Sequence, residues 1–259
     1  MIGVGIDAGS RAIKIALVDA DTEKMIASGI VKQGINSEEL ALGLFDELLA
    51  GNGFTCDDVK RIVATGYARS RIGIADTTIT EITCHAHGVR HLVPGVRTII
   101  EIGGQDSKFL RLDPGGSVHD FAMNDRCAAG TGRFLEVVAD RLGVGLEDLG
   151  QLSSMSTRPA MISSMCIVFA ETEIIGLLSS GASPEDIVAG VQNSIATRVS
   201  TMIGRSATPP VVFTGGVAMI PGMAHALESV IGESVSISPS PQMTGALGAA
   251  MLALEQAGF

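Results

Sequence analysis

Aromatic and basic residues are scarce in this 259-residue sequence, which has no tryptophan, one tyrosine, and 18 Lys and Arg against 28 Asp and Glu. The formal net charge is therefore −10. Because a surface of this sign repels duplex DNA and anionic membranes on average, we expect neither nucleic acid nor a membrane as a partner. A net charge does not exclude a small basic pocket for phosphate groups.

Long apolar runs and a dense set of cysteines are also missing. Apolar stretches such as residues 166–170 are far shorter than the roughly 20 residues that cross a bilayer. Four cysteines, with no charged and then apolar leader before them, favour a reducing cytoplasm over a disulfide framework. The length and the 46% hydrophobic content predict a cytoplasmic α/β protein of one large or two moderate domains, and the 32 glycines indicate close packing.

Two of the cysteines precede helical patterns. Cys127 lies in a glycine-bearing turn within residues 124–135, and Cys166 stands before the apolar periodicity of residues 167–178. Taken singly, each cysteine is most simply interpreted as a small buried core residue. A helix start, however, favours anions such as a thiolate, and two cysteines in matching positions favour a ligand role. Two thiolates do not complete a zinc or iron–sulfur site, which usually needs four ligands. If a cluster is bound, a second copy could supply the other two, which predicts a homodimer with the site on its two-fold axis.

The chain contains two modules in which an apolar strand, a glycine turn with an acidic residue and a second apolar strand follow one another. In the first, an apolar strand leads into Asp7, Gly9 and Ser10, and residues 13–18 return. Backbone N–H groups in such a turn can hold phosphate, with Asp7 toward a metal ion and Lys14 in reach of the phosphates. By itself this turn is an ordinary hairpin turn.

The second module follows Pro94 and Gly95, which mark the best domain boundary in the chain. Residues 98–102 lead into the Gly-Gly-Gln-Asp turn at 103–106, and residues 108–112 return. Two such modules in one chain predict a duplicated fold that has one phosphate hairpin in each half, both facing a single cleft.

Glycines also follow a later strand and open the last helix. Gly215 and Gly216 come after the apolar residues 211–213, where the missing side chains would let a ribose or flat ring lie against the backbone, although a tight strand-to-helix corner is the simpler explanation. Residues 245–250 are glycine and alanine except for Leu247, and these small residues permit close approach at a place where two lobes could hinge.

A helix predicted over residues 80–92 carries Cys84, His85, His87 and His91. The cluster suggests a metal site, but no third ligand stands at a clear spacing from His87 and His91. We therefore do not expect a metal ion there. Further helices are predicted from Ser37 to about residue 50 and from a capped start at residues 183–186. The second of these helices is expected to end at Pro209 and Pro210, and its predicted apolar stripe consists of Ile187, Val191, Ile195 and Val199.

Four segments stand in the order of the phosphate 1, phosphate 2, adenosine and connecting motifs of the acetate and sugar kinase, heat-shock-70 and actin superfamily: residues 5–10, 102–106, 214–217 and 245–248. The chain resembles that superfamily over essentially its whole length. Residues 124–135 and 163–173 narrow the resemblance to the ATP-dependent activators (component A) of 2-hydroxyacyl-CoA dehydratases, relatives of the ATPase subunits of benzoyl-CoA reductase.

This resemblance implies a duplicated actin-like, ribonuclease H-like ATPase fold of class α/β, with two lobes around a nucleotide cleft. Lobe I is expected to comprise residues 1–94 and the C-terminal helix 243–259, and lobe II residues 95–242. The resemblance also implies one [4Fe–4S] cluster per homodimer, with Cys127 and Cys166 of each subunit as its ligands.

The resemblance further implies that ATP or ADP binds with Mg²⁺. The expected nucleotide contacts are Gly9, Ser10, Lys14, Gly103, Gly104, Gln105, Gly130, Gly132, Gly215, Gly216 and Gln242. The expected contacts of magnesium or its waters are Asp7, Glu101 and Asp106. The expected catalytic residues are Gln105, Asp106 and Asp7, of which Gln105 or Asp106 would orient the hydrolytic water.

Two residues depart from the family pattern. Arg11 replaces the small hydroxyl residue expected after Ser10, and Glu101 stands where Asp is usual. The first departure affects a contact to the γ-phosphate, and the second lengthens the reach to a metal ion or water.

In the implied function, a ferredoxin or flavodoxin supplies an electron, and ATP hydrolysis drives its transfer to a partner iron–sulfur enzyme such as a 2-hydroxyacyl-CoA dehydratase. A benzoyl-CoA-type reductase or a double-cubane iron–sulfur protein is an alternative partner. A small-molecule kinase of the same superfamily would share both hairpins but would need no paired thiols. A filament-forming actin-like protein is disfavoured, because filaments need head-to-tail contacts whereas a shared cluster needs a closed dimer.

Overall fold

The computed structural model describes residues 1–163, 166–204 and 207–258. Within them the strands are, in chain order, β1 (Ile2–Ala8), β2 (Ala12–Asp19), β3 (Met25–Lys32), β4 (Val59–Thr65), β5 (Thr77–Thr78), β6 (Thr98–Ile102), β7 (Ser107–Leu112), β8 (Val118–Asn124), β9 (Val211–Thr214) and β10 (Val235–Ile237). The α-helices are α1 (Ser37–Gly51), α2 (Glu81–Leu92), α3 (Gly132–Leu142), α4 (Leu149–Met155), α5 (Ile167–Ser179), α6 (Pro184–Ile203), α7 (Met223–Ile231) and α8 (Thr244–Ala257).

The chain divides into two compact units. Unit 1 consists of Met1–Gly95, Gly115–Val118 and the residues from Gln242 onward, and unit 2 consists of Val96–Pro114 and His119–Pro241. Every helix in the described ranges is too short or too polar to cross a membrane.

The sheet of unit 1 has the strand order β3-β2-β1-β4-β5. β1 is antiparallel to β2 and parallel to β4, and β2 is antiparallel to β3. Every residue of the central strand β1 is buried, as its apolar sequence predicts for a strand covered on both faces. In β3, exposed residues alternate with half-buried ones, the pattern of a strand with one face toward solvent.

The helices of unit 1 pack closely because of glycines. A Cβ atom at Gly88 of α2 would collide with the carbonyl of Thr244, and one at Gly248 of α8 would collide with the carbonyl of Cys84. A Cβ atom at Gly5 of β1 would likewise collide with the carbonyl of Ala246. The small residues of α8 therefore allow its backbone to lie directly against α2 and β1, as predicted from the sequence.

The sheet of unit 2 has the order β10-β9-β6-β7-β8. β6 is antiparallel to β7 and parallel to β9, and β9 is parallel to β10. Both units therefore use the same arrangement, in which the central strand lies between an antiparallel and a parallel neighbour. The predicted duplicated α/β fold is confirmed in these two sheets.

Helix α6 provides the centre of the unit 2 core. The predicted stripe of Ile187, Val191, Ile195 and Val199 is fully buried, and the Ser183 hydroxyl caps the helix by accepting from the N–H of Asp186. The sequence-based expectation that Pro209 and its neighbour end this helix is wrong, because the helix already ends at Ile203.

Candidate functional site

The hairpin that joins β1 to β2, hairpin 1, holds an ion pair at its base. Asp7 and Lys14 face each other in the antiparallel register, and the Lys14 ammonium lies 3.0 Å from Oδ2 of Asp7. Asp7 is buried because β1 lies between β2 and β4. The turn is closed by the N–H of Gly9, which donates to the Ala12 carbonyl at 3.1 Å. The Gln33 side chain donates to the Gly9 carbonyl and braces the turn from β3.

Glycines leave room on two sides of the Asp7 carboxylate. Gly66, directly after β4, has a φ of +90°, and a Cβ atom there would press on Oδ1 of Asp7 and the carbonyl of Ala8. At Gly245 a Cβ atom would lie 3.1 Å from Oδ2 of Asp7 and 3.1 Å from Cε1 of His85. His85 is buried, and its Nδ1 lies 3.0 Å from the hydroxyl of Thr244.

The other members of the Cys/His cluster on α2 do not gather around a metal site. Cys84 is buried, and burial raises the pKa of its thiol to about 12, so it is a poor thiolate ligand. Burial also lowers the pKa of His87, whose Nδ1 lies 3.7 Å from Glu255. Among residues 1–163, 166–204 and 207–258, no three His, Cys, Asp or Glu side chains are grouped so as to hold a metal ion.

The hairpin that joins β6 to β7, hairpin 2, repeats the geometry of hairpin 1. Glu101 faces Lys108 in the antiparallel register, and the N–H of Gly103 donates to the Asp106 carbonyl at 2.9 Å. The Lys108 ammonium lies 2.8 Å from Oε2 of Glu101 and 2.6 Å from Oδ2 of Asp106. Both predicted magnesium contacts of this hairpin therefore share one buried lysine.

Sequence reasoning missed Lys108. The signal was present, because Lys108 stands seven residues after Glu101 and Lys14 stands seven residues after Asp7. The register of the two strands turns this spacing into a contact.

Gly215 brings the predicted adenosine turn to the base of hairpin 2. Its φ is +91°, and a Cβ atom there would press on Oε1 of Glu101 and the carbonyl of Ile102. The N–H of Gly215 and the hydroxyl of Thr214 both donate to the Pro241 carbonyl, at 2.9 and 2.7 Å. Gly216 begins a short 3-10 helix, Gly216–Met219. Gly66 occupies the equivalent place in unit 1. The sequence reasoning also missed this residue, although both β4 and β9 end in a threonine that a glycine follows.

Hairpin 2 is bonded to the start of α3. The N–H groups of Gly132 and Arg133 donate to the carbonyls of Gly103 and Gly104, both at 2.9 Å. The buried hydroxyl of Thr131 lies 3.2 Å from the Gly104 carbonyl and 2.7 Å from that of Ala128. These contacts join the hairpin to the turn that contains Cys127, and they place Gly103, Gly104 and Gly132 together.

The two predicted ligand cysteines are both exposed, but their settings differ. Cys166 is the N-cap residue of α5, as predicted. Cys127 is the N-cap residue of a 3-10 helix, Ala128–Gly130, and α3 begins only at Gly132. The predicted turn ahead of a helix is therefore confirmed, but the 3-10 helix separates Cys127 from the start of α3, whereas Cys166 directly precedes α5. The reason is Thr131, whose extended backbone interrupts the helix while its hydroxyl bonds back to the Ala128 carbonyl.

Glu173 braces the segment that leads to Cys166. Its Oε1 accepts from the N–H of Ser163 at 2.9 Å and from the Ser163 hydroxyl at 2.6 Å. One part of the predicted motif, residues 164–165, lies outside the described residues.

Comparisons with known proteins agree with this arrangement. The family model "BadF/BadG/BcrA/BcrD ATPase family" matches residues 4–253. The chain is 45% identical to the activator of lactoyl-CoA dehydratase from Anaerotignum propionicum, over 99% of each chain.

Two solved structures are similar throughout. Component A of the (R)-2-hydroxyglutaryl-CoA dehydratase of Acidaminococcus fermentans superposes with a TM-score of 0.94 at 40% identity and covers 100% of each chain. The activator of the 2-hydroxyisocaproyl-CoA dehydratase from Clostridium difficile, determined with bound ADPNP, has a TM-score of 0.92 at 42% identity and covers 99% of this chain and 96% of its own. The family resemblance predicted from the motifs is confirmed, and this chain belongs to the BadF/BadG/BcrA/BcrD ATPase family.

Proposed function

We propose that this chain is the activating ATPase of a 2-hydroxyacyl-CoA dehydratase, and that it uses ATP hydrolysis to send low-potential electrons to that enzyme. The observation that carries the proposal is the set of hydrogen bonds from Gly132 and Arg133 to the carbonyls of Gly103 and Gly104. Through them hairpin 2, which we propose binds phosphate, is fixed to the turn that bears Cys127. The three relatives described above, all named for 2-hydroxyacyl-CoA dehydratases, support the same function.

Cys127 and Cys166 fit a [4Fe–4S] cluster that two copies of the chain share. Both thiols are exposed and outside any disulfide, in contrast to the buried Cys84. Because such a cluster usually takes four thiolates, these two cysteines would be joined by the same two cysteines of a second copy. When bound, the cluster would supply a one-electron store whose potential depends on hydrogen bonds, charge and solvent exposure.

Each hairpin is proposed to bind phosphate oxygens of the nucleotide through the backbone N–H groups of its turn. Asp7, Glu101 and Asp106 would hold Mg²⁺ or its waters, and the ion would neutralise charge on the phosphates. Lys14 and Lys108 orient these carboxylates through their ion pairs.

The remaining nucleotide contacts are proposed from position. Gln105 is exposed at the tip of hairpin 2, where its amide is free to orient the hydrolytic water together with Asp106. Glycines with little side-chain bulk would let the nucleotide approach the backbone. The proposed set comprises Gly9, Ser10, Gly104, Gly130, Gly132, Gly215, Gly216 and Gln242.

The partners follow from the redox role. A ferredoxin or flavodoxin would reduce the homodimer, and a dehydratase would receive the electron. A benzoyl-CoA-type reductase or a double-cubane protein is an alternative partner, and the partner assay below distinguishes the reductase from the dehydratase.

The first experiment measures iron, sulfide and ATPase activity on one oxygen-free preparation. We expect one [4Fe–4S] cluster per two chains together with ATP hydrolysis. Cys127→Ala should lose the cluster and keep nucleotide binding, whereas the matched variant Cys84→Ala should keep both. A colourless monomer that releases ADP only when a sugar or another small metabolite is added would instead identify a kinase.

The second experiment tests the partner. The reduced protein is mixed with ATP and either a 2-hydroxyacyl-CoA dehydratase or a benzoyl-CoA-type reductase, and reduction of the partner's iron–sulfur centre is followed spectroscopically. We expect ATP-dependent reduction of the dehydratase. Transfer to the reductase alone would overturn the proposed partner.

A further inference from the structure

Asn124 holds the backbone of Cys127 from two sides. It is the last residue of β8, three residues before the cysteine. Its Oδ1 accepts from the N–H of Cys127 at 3.0 Å, and its Nδ2 donates to the carbonyl of Cys127 at 2.8 Å. One planar amide thus satisfies both backbone polar groups of a single residue.

This double contact restricts the direction of the thiol. The N–H bond limits φ and the carbonyl bond limits ψ, and Cys127 is held at −122° and 106°. With both backbone angles fixed, only χ1 remains to set where Sγ points. Asparagine suits this role because its side chain carries a donor and an acceptor, whereas the carboxylate of aspartate only accepts.

The other end of the turn is held separately. The N–H and hydroxyl of Thr131 both lie within hydrogen-bonding distance of the Ala128 carbonyl, at 3.1 and 2.7 Å. Hydrogen bonds therefore fix the backbone on both sides of Cys127, although the cysteine itself is exposed to solvent. Cys166 is braced in a different way, through Ser163 and Glu173.

We propose that Asn124 is the positioning residue of Cys127, and that its amide fixes the thiol in the direction required to ligate the shared cluster. This inference rests on the proposed function. Contacts that orient a metal ligand typically contribute about 10–100-fold to metal affinity or activity, which sets the size of the expected effect.

The test compares Asn124→Ala, which removes both bonds, with Asn124→Asp, which keeps the acceptor and removes the donor. Asn36→Ala is the matched control, because Asn36 also accepts a bond from the N–H three residues ahead but caps α1 in unit 1. Two quantities are measured: hydrogen exchange of the Cys127 amide in metal-free protein, and the rate at which a chelator removes iron from the oxygen-free holoprotein.

We expect Asn124→Ala to lose amide protection at Cys127 and to release iron about 10-fold faster. Asn124→Asp should retain the amide protection and still release iron faster than wild type. Asn36→Ala should lower only the melting temperature. Faster iron release in the Asn36 variant, or a wild-type rate in both Asn124 variants, would overturn the proposal.

The two arms separate this inference from the proposed function. If the wild-type protein assembles no cluster, the proposed function fails. Hydrogen exchange of the Cys127 amide then still shows whether the Asn124 side chain fixes the backbone of Cys127. If the cluster assembles and both Asn124 variants release iron at the wild-type rate, only the proposal that Asn124 positions Cys127 fails. Melting curves of each variant establish that its fold is intact before hydrogen exchange and iron release are compared.

Discussion

The two hairpins share their length, register and closing hydrogen bond, but their lysines differ in setting. Lys14 pairs with the single carboxylate of Asp7 and keeps 21% of its side chain exposed. Lys108 pairs with both Glu101 and Asp106 and is 2% exposed. A partly exposed lysine can turn toward a phosphate, whereas a buried lysine between two carboxylates is held in place. Lysines at equivalent positions of the two duplicated hairpins can therefore have different roles.

The hairpins also differ in what supports them. The Gly9 carbonyl of hairpin 1 accepts from a side chain, that of Gln33. In hairpin 2, the carbonyls of Gly103 and Gly104 accept backbone N–H groups at the start of α3. The second hairpin is thus tied to the cysteine-bearing turn by main-chain bonds, which side-chain substitutions leave intact.

The largest expected difference between the hairpins concerns their lysines. Lys108→Met removes the ammonium between two carboxylates, one of them buried, and should lower the free energy of unfolding by about 3–5 kcal/mol. Lys14→Met should cost less, about 1–3 kcal/mol, because solvent reaches that side chain. Denaturant unfolding of both variants measures the difference. Equal losses would mean that the two lysines have equivalent roles.

The two glycines beside the carboxylates are expected to behave alike. Gly66 and Gly215 have φ values of +90° and +91°, and a Cβ atom at either would press on the neighbouring acid and carbonyl. Alanine at each position should therefore cost about 1–3 kcal/mol of folding free energy. Thermal unfolding of the two variants checks this. Alanine at Gly53, which also has positive φ but open space around it, separates backbone strain from collision.

A smaller effect is expected where hairpin 2 meets the cysteine turn. Thr131→Val removes the buried hydroxyl that lies near the carbonyls of Gly104 and Ala128, but both carbonyls keep a backbone N–H donor. The expected loss is about 1 kcal/mol, and Thr131→Ser should restore most of it. Chemical denaturation of the pair measures the hydroxyl contribution. A valine variant as stable as wild type would show that the backbone bonds suffice.

The smallest expected effect comes from making hairpin 2 resemble hairpin 1. Asp106 corresponds to Ala12 in the other turn, and its side chain is 24% exposed. Asp106→Ala should change the free energy of unfolding by less than about 1 kcal/mol, because Lys108 keeps its ion pair with Glu101 and the Asp106 carboxylate is partly solvated. The same variant should slow ATP hydrolysis if Asp106 orients the water. Unaltered turnover would assign that task to Gln105.

Much of this architecture could be predicted from local patterns. The strand and turn residues of both hairpins, the cap of α6 and the position of Cys166 before a helix all follow from apolar periodicity and short motifs. The close packing of α8 could also be predicted, because a run of small residues leaves no side chains to hold two backbones apart.

Other features depend on strand pairing or long-range contacts. Lys108 becomes part of the site through the β6–β7 register, and Gly66 through the position of β4 beside β1. Thr131 separates the turn of Cys127 from α3, because its hydroxyl lies beside two carbonyls, one of which belongs to hairpin 2. Periodicity alone gave no sign of this contact.

The packing of α8 has a consequence for synthesis on the ribosome. β1 is translated before unit 2, yet Ala246, Leu247 and Ala250, which cover neighbouring residues of its sheet, are translated after unit 2. Unit 1 therefore cannot complete its core until α8 has emerged, while the segments of unit 2 are all available earlier. Unit 1, whose translation begins before that of unit 2, would therefore complete its fold after unit 2.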